Sequence, residues 1–502
     1  MSRSQTKKID SGSLFVILPN ENLWNVDKPG TSQRFMRAAS RHFNEQPGAV
    51  SLAKVHPGLN VRLLDEVAPA ETALVVMADD ERVKLQAAEP GLRLAPVVEL
   101  EPLWLQRFRL AMMAGLSVSG AKLTLEVVVV DALSGKPLAG VDVVGLSDRA
   151  NRIGATGQTG AKGVAKLVFP LATRELESIE AFVPSGYWPA YLTKFDLSAG
   201  KVTLACAPID LSKQDLRGVL GQEGQDDDGA GVKVAVVDTG VTRHKDLLVA
   251  RGVNVVKGER SFADQIGHGT HVAGIIAGRG KPGQGVRGIA PGVDLHVYRV
   301  FGKDQQLALS FNIAKGIRQA VDDGCDLINL SLGGTDDMPE VLREINRARA
   351  MGVVCIAAAG NEYRSGVSYP ARYSPVLAVS AYGRKGTWPS KAAQDLEIAK
   401  PYGTDMKNFI AAFSNVGSEV KLTGPGVGVV STYPKGYAVM DGTSMAAPAM
   451  TGALARQLGR DAKILSKMPR DQARSDAIVK LALQQATKLG FGATFEGAGV
   501  LL

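Results

Sequence analysis

Asp441-Gly442-Thr443-Ser444-Met445-Ala446-Ala447-Pro448 is the stretch on which the reading of the whole chain turns. Gly442 lets the backbone bend sharply. The small residues after it start a helix that runs through Ala453 and Arg456. Ser444 then sits in the first turn of that helix. Backbone N–H groups are unsatisfied there and the helix dipole favours negative charge, which suits a nucleophile whose attack creates an oxyanion. An isolated Gly-Thr-Ser is more commonly an ordinary helix cap. The choice depends on whether a base, and a group to orient it, occur elsewhere.

Both occur upstream. Val232-Lys233-Val234-Ala235-Val236-Val237 is nearly continuous in apolar residues, as a strand buried on both faces of a parallel sheet must be. It delivers Asp238-Thr239-Gly240 to its C-terminal end, where open α/β sheets bind ligands. Gly267-His268-Gly269-Thr270-His271 follows. The two histidines are three apart and lack the intervening Glu of the zincin pattern, so a zinc site is not expected. The small residues Gly269, Ala273, Gly274 and Ala277 predict instead a helix packed closely under the sheet, with His268 at its start and His271 buried. Strands and helices then alternate. Strands are expected over 294–300, 326–330, 353–359 and 376–380, and helices over 309–321 and 338–350. This alternation means a parallel sheet with helices on both faces.

Five motifs in order are similar to those of the subtilisin-like serine proteases: Asp238-Thr239-Gly240, Gly267-His268-Gly269-Thr270-His271, Ser331-Leu332-Gly333-Gly334, Ala359-Gly360-Asn361 and Gly442-Thr443-Ser444-Met445-Ala446. The resemblance spans nearly all of 213–502. It implies Ser444 as nucleophile, His268 as base and Asp238 as its orienter. It also implies Asn361 as oxyanion donor beside the Ser444 backbone N–H. Ser331, Leu332, Gly333 and Gly334 would pair with extended substrate, with Gly360 and Ser368 at the specificity pocket. Ser368 stands where secreted members commonly carry glycine at the pocket base. A small or medium uncharged side chain is therefore expected before the cleaved bond, with Glu362 the one acid nearby. The 384–408 stretch is longer than the family's usual connection and reads as a surface loop or a partner site.

Two further regions precede this one. Residues 1–105 read as β-α-β-β-α-β, a small α+β, ferredoxin-like arrangement. The last strand is expected from Leu92 to Leu100. The layout and position are similar to the propeptide-inhibitor domain of many subtilisin-like proteases. Residues 119–206 hold short strands broken by Gly and Pro, as in a β-sandwich. The segment Val130–Val141 resembles transthyretin-like or carboxypeptidase-regulatory-like modules. The expected fold class is therefore α/β, a subtilisin-like catalytic region preceded by an α+β domain and a sandwich.

Composition sets the remaining bounds. The net charge of +8 is modest for 502 residues and no dense Lys/Arg run occurs, so nucleic-acid binding is not expected. Three cysteines argue against a disulfide framework. The apolar run Leu14–Leu18 is too short for a signal segment, and no stretch has the length to span a membrane, so the default compartment is the cytoplasm. No acidic cluster makes a clear calcium site, and no cofactor or metal is expected. The expected partners are a protein or peptide substrate, and a regulatory protein engaging the N-terminal domains or the 384–408 loop. Three functions follow: an endopeptidase restrained by its N-terminal region, a protease latent until a partner displaces that region, and a binding protein with a vestigial triad. The resemblance to the family's propeptide, whose tail lies in the cleft, implies that residues 1–105 cover the cleft with Glu99–Leu105 entering it as an added strand. Self-cleavage is expected between about Pro102 and Ser119, or at 221–230.

Overall fold

The structure is a computed structural model. It describes residues 8–9, 12–19, 31–45, 48–105, 122–213, 216–220, 224–461 and 463–502. The expected cleavage windows therefore fall partly outside it, at 106–119 and 221–223.

In the C-terminal region, strands Val249–Asn254, Asp294–Arg299, Lys233–Asp238, Leu327–Leu330, Val354–Ala358 and Leu377–Arg384 lie side by side in that order, all parallel. Their apolar runs are buried on both faces. One face packs against helices His268–Ala277 and Thr443–Arg460, the other against helices Ser310–Asp322 and Pro339–Ala350. Asp238 and Ala358 end their strands at the same sheet edge, so the loops that follow them, and the starts of the first two helices, converge there.

The N-terminal strands Leu92–Pro96, Gly12–Pro19, Thr72–Met77 and Arg62–Ala68 form an antiparallel sheet in that order. The run Leu14–Leu18 is apolar on both sides because both sides are covered. Phe15 and Ile17 pack under helices Thr31–Asn44 and Asp79–Ala88, through Phe35, Met36 and Leu85. Leu14, Val16 and Leu18 pack against Phe311 of helix Ser310–Asp322. Ion pairs ring this contact: Asp65–Lys315 at 2.7 Å, Glu71–Arg318 at 2.7 Å and Arg93–Asp337 at 3.1 Å.

The strand expected over 92–100 is two strands. Leu92–Pro96 stays in the N-terminal sheet, whereas Glu99–Pro102 leaves it and pairs antiparallel with Ala308–Leu309 on one side and Leu332–Gly333 on the other. The middle region has two sheets. One holds Ile153–Gln158, Asp142–Asp148, Glu175–Phe182 and Ala190–Asp196, and the other Val164–Pro170, Lys122–Asp131 and Lys201–Cys206. A shared core of Val127, Val143, Leu167 and Ile179 lies between them. All three cysteines are free and buried.

Glu340, on helix Pro339–Ala350 near Arg93 and Asp337, is 1% exposed. Burial pushes its carboxyl up to about 7, partly offset by the Ser310 hydroxyl. A carboxyl whose folded pKa lies above its unfolded value stabilises fully below the unfolded value, and that stability is lost as pH rises through the folded one. The window here runs from about 4.5 to about 7 and is worth about 3 kcal/mol. Glu340→Gln in an inactive Ser444→Ala background should therefore melt several degrees above its parent at pH 8. That gap should shrink by pH 5. Thermal melts at the two pH values check this, and a gap independent of pH would contradict it.

Candidate functional site

Asp238 ends its strand and His268 begins its helix, and the two side chains meet in the interior. His268 Nδ1 lies 2.7 Å from Asp238 Oδ1, and both residues are fully buried. The carboxylate also accepts the Thr239 N–H at 2.7 Å. With Nδ1 donating to Asp238, the Nε2 of His268 is left as a lone-pair acceptor. It has no hydrogen-bond partner among the described residues.

Asp264, which the sequence did not single out, locks the approach to this histidine. Its Oδ1 accepts from Thr239 Oγ1 at 2.9 Å and from the Gly267 N–H at 2.7 Å, and its Oδ2 accepts from Thr270 Oγ1 at 2.7 Å. His271 is buried as expected, with Nε2 against the carbonyls of Val429 and Ala438 at 3.1 and 3.2 Å. Burial holds it neutral, pushed down to about 3. Among the described residues no group of three or more His, Cys, Asp and Glu side chains is placed to hold a metal.

Ser444 begins the second helix. Its Oγ donates to the Ser331 carbonyl at 2.8 Å, and the Ser331 hydroxyl donates to the Ser444 carbonyl at 2.9 Å. Gly442, just before it, has φ of 151°, a conformation that favours glycine. A Cβ there would stand 2.5 Å from the Leu103 carbonyl oxygen.

That carbonyl is the centre of the site. It accepts the Ser444 N–H at 3.1 Å and the Asn361 side-chain amide at 2.6 Å. The other end of the Asn361 amide accepts the Thr443 N–H and hydroxyl, both at 2.9 Å, so its NH₂ faces Leu103. Gly360 donates its N–H to the same Thr443 hydroxyl at 3.1 Å. Thr443 reads from sequence as one more cap residue, and nothing in its local pattern marks it as the orienter of an amide 82 residues away.

The chain through the cleft is continuous. Leu332 partners Pro102 and Gly333 partners Glu101, the Leu103 N–H donates to the Ser331 carbonyl at 3.1 Å, and the Leu105 N–H donates to the Asp441 carbonyl at 2.7 Å. Leu103 is 3% exposed, with its side chain against Gly333, where a Cβ would come within 2.7 Å of a Leu103 methyl. Gly334 pairs with Tyr369 rather than with this segment. Trp104 sets its ring edge-on to His268, 5.8 Å between centroids. Ser368 is buried and donates to Glu362 at 3.2 Å, while Asn415 bonds both. The acid nearest the pocket is thus already occupied by neighbours. Asn415 went unnoticed in the sequence, lying 53 residues from Glu362.

Strand-end carboxylate, helix-start histidine and helix-start serine thus lie in this chain order on a parallel α/β sheet, with a carbonyl held by two N–H donors beside the serine. The Subtilase family model matches residues 229–499, more than half the chain. Subtilisin BL of Lederbergia lenta is 41% identical over 228 residues, which are 45% of this chain and 76% of that protein. Subtilisin Savinase of the same organism is 40% identical over the same shares. Subtilisin DY of Bacillus licheniformis is 37% identical over 255 residues, 50% of this chain and 84% of that protein. The chain belongs to the subtilase family and is a subtilisin-like serine endopeptidase. Among the described residues no helix is long and apolar enough to cross a membrane.

Proposed function

We propose that this endopeptidase acts through Ser444, His268 and Asp238, and that the chain is a precursor restrained by its own segment Glu99–Leu105. The observation that carries the reading is the Leu103 carbonyl, which sits between the Ser444 N–H and the Asn361 amide in a segment that runs on through Trp104 and Leu105. Attack requires the Ser444 hydroxyl to leave the Ser331 carbonyl and turn to the unpartnered Nε2 of His268. Ser444 Oγ then bonds to the Leu103 carbonyl carbon while His268 takes the hydroxyl proton. Asp238 holds the tautomer and stabilises the imidazolium, and the two N–H donors hold the oxyanion. His268 next gives its proton to the Trp104 nitrogen, and the Leu103–Trp104 bond breaks. Water, with His268 again as base, frees Leu103 as a carboxylate. The products are 1–103 and 104–502.

In this reading the chain divides into a restraining unit up to about 105, a sandwich over 119–206 and a catalytic unit over 213–502. The ion pairs from Asp65, Glu71 and Arg93 would slow the release of the cut piece. A partner that competes for the helix pair 310–350 would release it.

The test is a fluorophosphonate probe with intact-mass analysis over time. Wild type should separate at 103–104 and acquire label at Ser444, while Ser444→Ala stays whole and unlabelled. Labelling only after an added protease or partner would support the gated reading, and no labelling under any condition would support a vestigial triad. Asn361→Ala should lower turnover about 10²–10³-fold with little change in substrate affinity, a magnitude that comes from subtilisin itself. Steady-state kinetics check it, and a loss confined to KM would remove Asn361 from the oxyanion role.

A further inference from the structure

Beyond Leu103 the chain runs along a cavity of about 250 Å³, lined by Trp104 and Leu105 themselves, by Tyr433 and Met440, and by Phe182 and Val183 of the β-sandwich. The backbone is anchored on this side as well, since Leu105 donates to the Asp441 carbonyl. Asp441 is in turn held by its carboxylate, which accepts Gln394 Nε2 at 2.9 Å and the Gly428 N–H at 2.7 Å. Gln394 lies in the 384–408 stretch, and that stretch is where the sandwich docks. The Ala393 N–H donates to the Pro189 carbonyl at 2.8 Å, Tyr191 Oη to Asp395 at 3.2 Å, and Arg149 to Glu397 at 3.0 Å. Trp188 is buried with Ala392, Val286 and Val430. Two residues before Trp188, the Gly186 N–H donates to the Tyr437 carbonyl at 2.8 Å. The loop that reads as a partner site is thus occupied from within the chain.

None of these docking contacts involves a residue before 104. A cut at Leu103–Trp104 removes the N-terminal piece and leaves the sandwich covalently and sterically in place. We propose that the sandwich is a wall of the substrate cleft on the leaving-group side of the cleaved bond, and that this cavity takes large apolar side chains at the first two positions after that bond. The inference rests on reading Leu103–Trp104 as the bond held at Ser444. The preferred substrates are peptides with an aromatic or leucine residue there. Asp142 and Asp441 are the charged groups at the cavity, so acidic residues are disfavoured.

The test uses the self-processed enzyme and four substrates: a quenched peptide copying residues 98–105, the same peptide with serine at both positions after the bond, the same peptide with lysine at the second position, and an anilide of residues 98–103. The anilide has no residue on the leaving side, so it normalises every enzyme and separately tests the parent reading. Wild type should favour the Trp-Leu peptide over the Ser-Ser peptide about tenfold or more in kcat/KM, the range for filling an apolar pocket. Phe182→Ala should lower that ratio towards one. Val183→Glu should lower it and also raise the relative rate on the lysine peptide, a change that mere loosening of the sandwich does not produce. Equal rates on the two peptides with wild type, or a ratio unmoved in both variants, would overturn the sandwich wall. Failure of processed wild type to cut the anilide would instead overturn the assignment of Ser444.

Discussion

Ser444→Ala, His268→Ala and Asp238→Asn should each leave the 502-residue chain uncut and lower peptide hydrolysis by about 10⁴–10⁶-fold, a range that comes from subtilisin itself. The geometry explains why the losses should not multiply. His268 Nδ1 is committed to Asp238 at 2.7 Å, so Nε2 is the ring nitrogen left to receive a proton. Without Ser444 the base has no proton to take, and without His268 the hydroxyl stays on the Ser331 carbonyl. Asp238→Asn puts an NH₂ where the carboxylate accepted, which turns the imidazole to the wrong tautomer. Each single change disables one concerted unit, so Ser444→Ala/His268→Ala should be no slower than the worse single variant. What is left should be the contribution of the two oxyanion donors. Intact mass gives self-processing and a fluorogenic peptide gives turnover. A double variant whose loss is the product of the singles would show that the residues act independently and sink the assignment. Folding is checked by the melting temperature. Ser444→Ala removes one hydroxyl with a single acceptor and should hardly move it.

What could be read in the sequence follows from where the constraint lies. Residues whose chemistry demands a fixed local setting announced themselves. Asp238 after an apolar strand, His268 among glycines and Ser444 after Gly442 each carry their backbone requirement in their neighbours. The residues that hold them do not. Asp264 and Thr443 are polar residues at helix approaches, where caps are ordinary, and only the fold brings Asp264 to Thr239 and Thr443 to Asn361. The break at Pro96-Val97-Val98 was missed for a different reason. Pro96 could have flagged it, since proline cannot donate to a ladder, but Leu92, Leu94, Val97, Val98 and Leu100 kept the run apolar, and apolar patterning says that a strand exists but not which sheet it joins. The expectation that Glu99–Leu105 enters the cleft came from the resemblance to the family's propeptide, not from the segment's own pattern. The 384–408 stretch shows the same limit. Its Asp395 and Gln394 read as part of an exposed insertion because their partners, Tyr191 and Asp441, lie outside the stretch.

Leu103→Asp should abolish cutting at 103–104, lowering its rate by about 10³-fold or more, while Leu103→Met should process at nearly the wild-type rate. Leu103 is 3% exposed and its methyl groups lie against Gly333, in the same cluster as the apolar residues under the sheet. The nearest acid, Glu362, already accepts from Ser368 and Asn415, so nothing there would compensate a second carboxylate. An ion buried without a partner costs several kcal/mol, and each 1.36 kcal/mol is tenfold in rate. A methionine has nearly the same volume and no charge, and its flexible chain adapts to the pocket. The backbone donors to the Leu103 carbonyl are the same in both variants, so any difference between them reports the pocket and not the oxyanion contacts. The measurement is intact mass against time for wild type and both variants. A shift of the cut to a different bond in Leu103→Asp would still fit, because the cleft would then select another side chain. Cutting of Leu103→Asp at the same bond and the same rate would mean that this side chain does not fill the specificity pocket, and that the carbonyl is held at Ser444 by main-chain pairing alone.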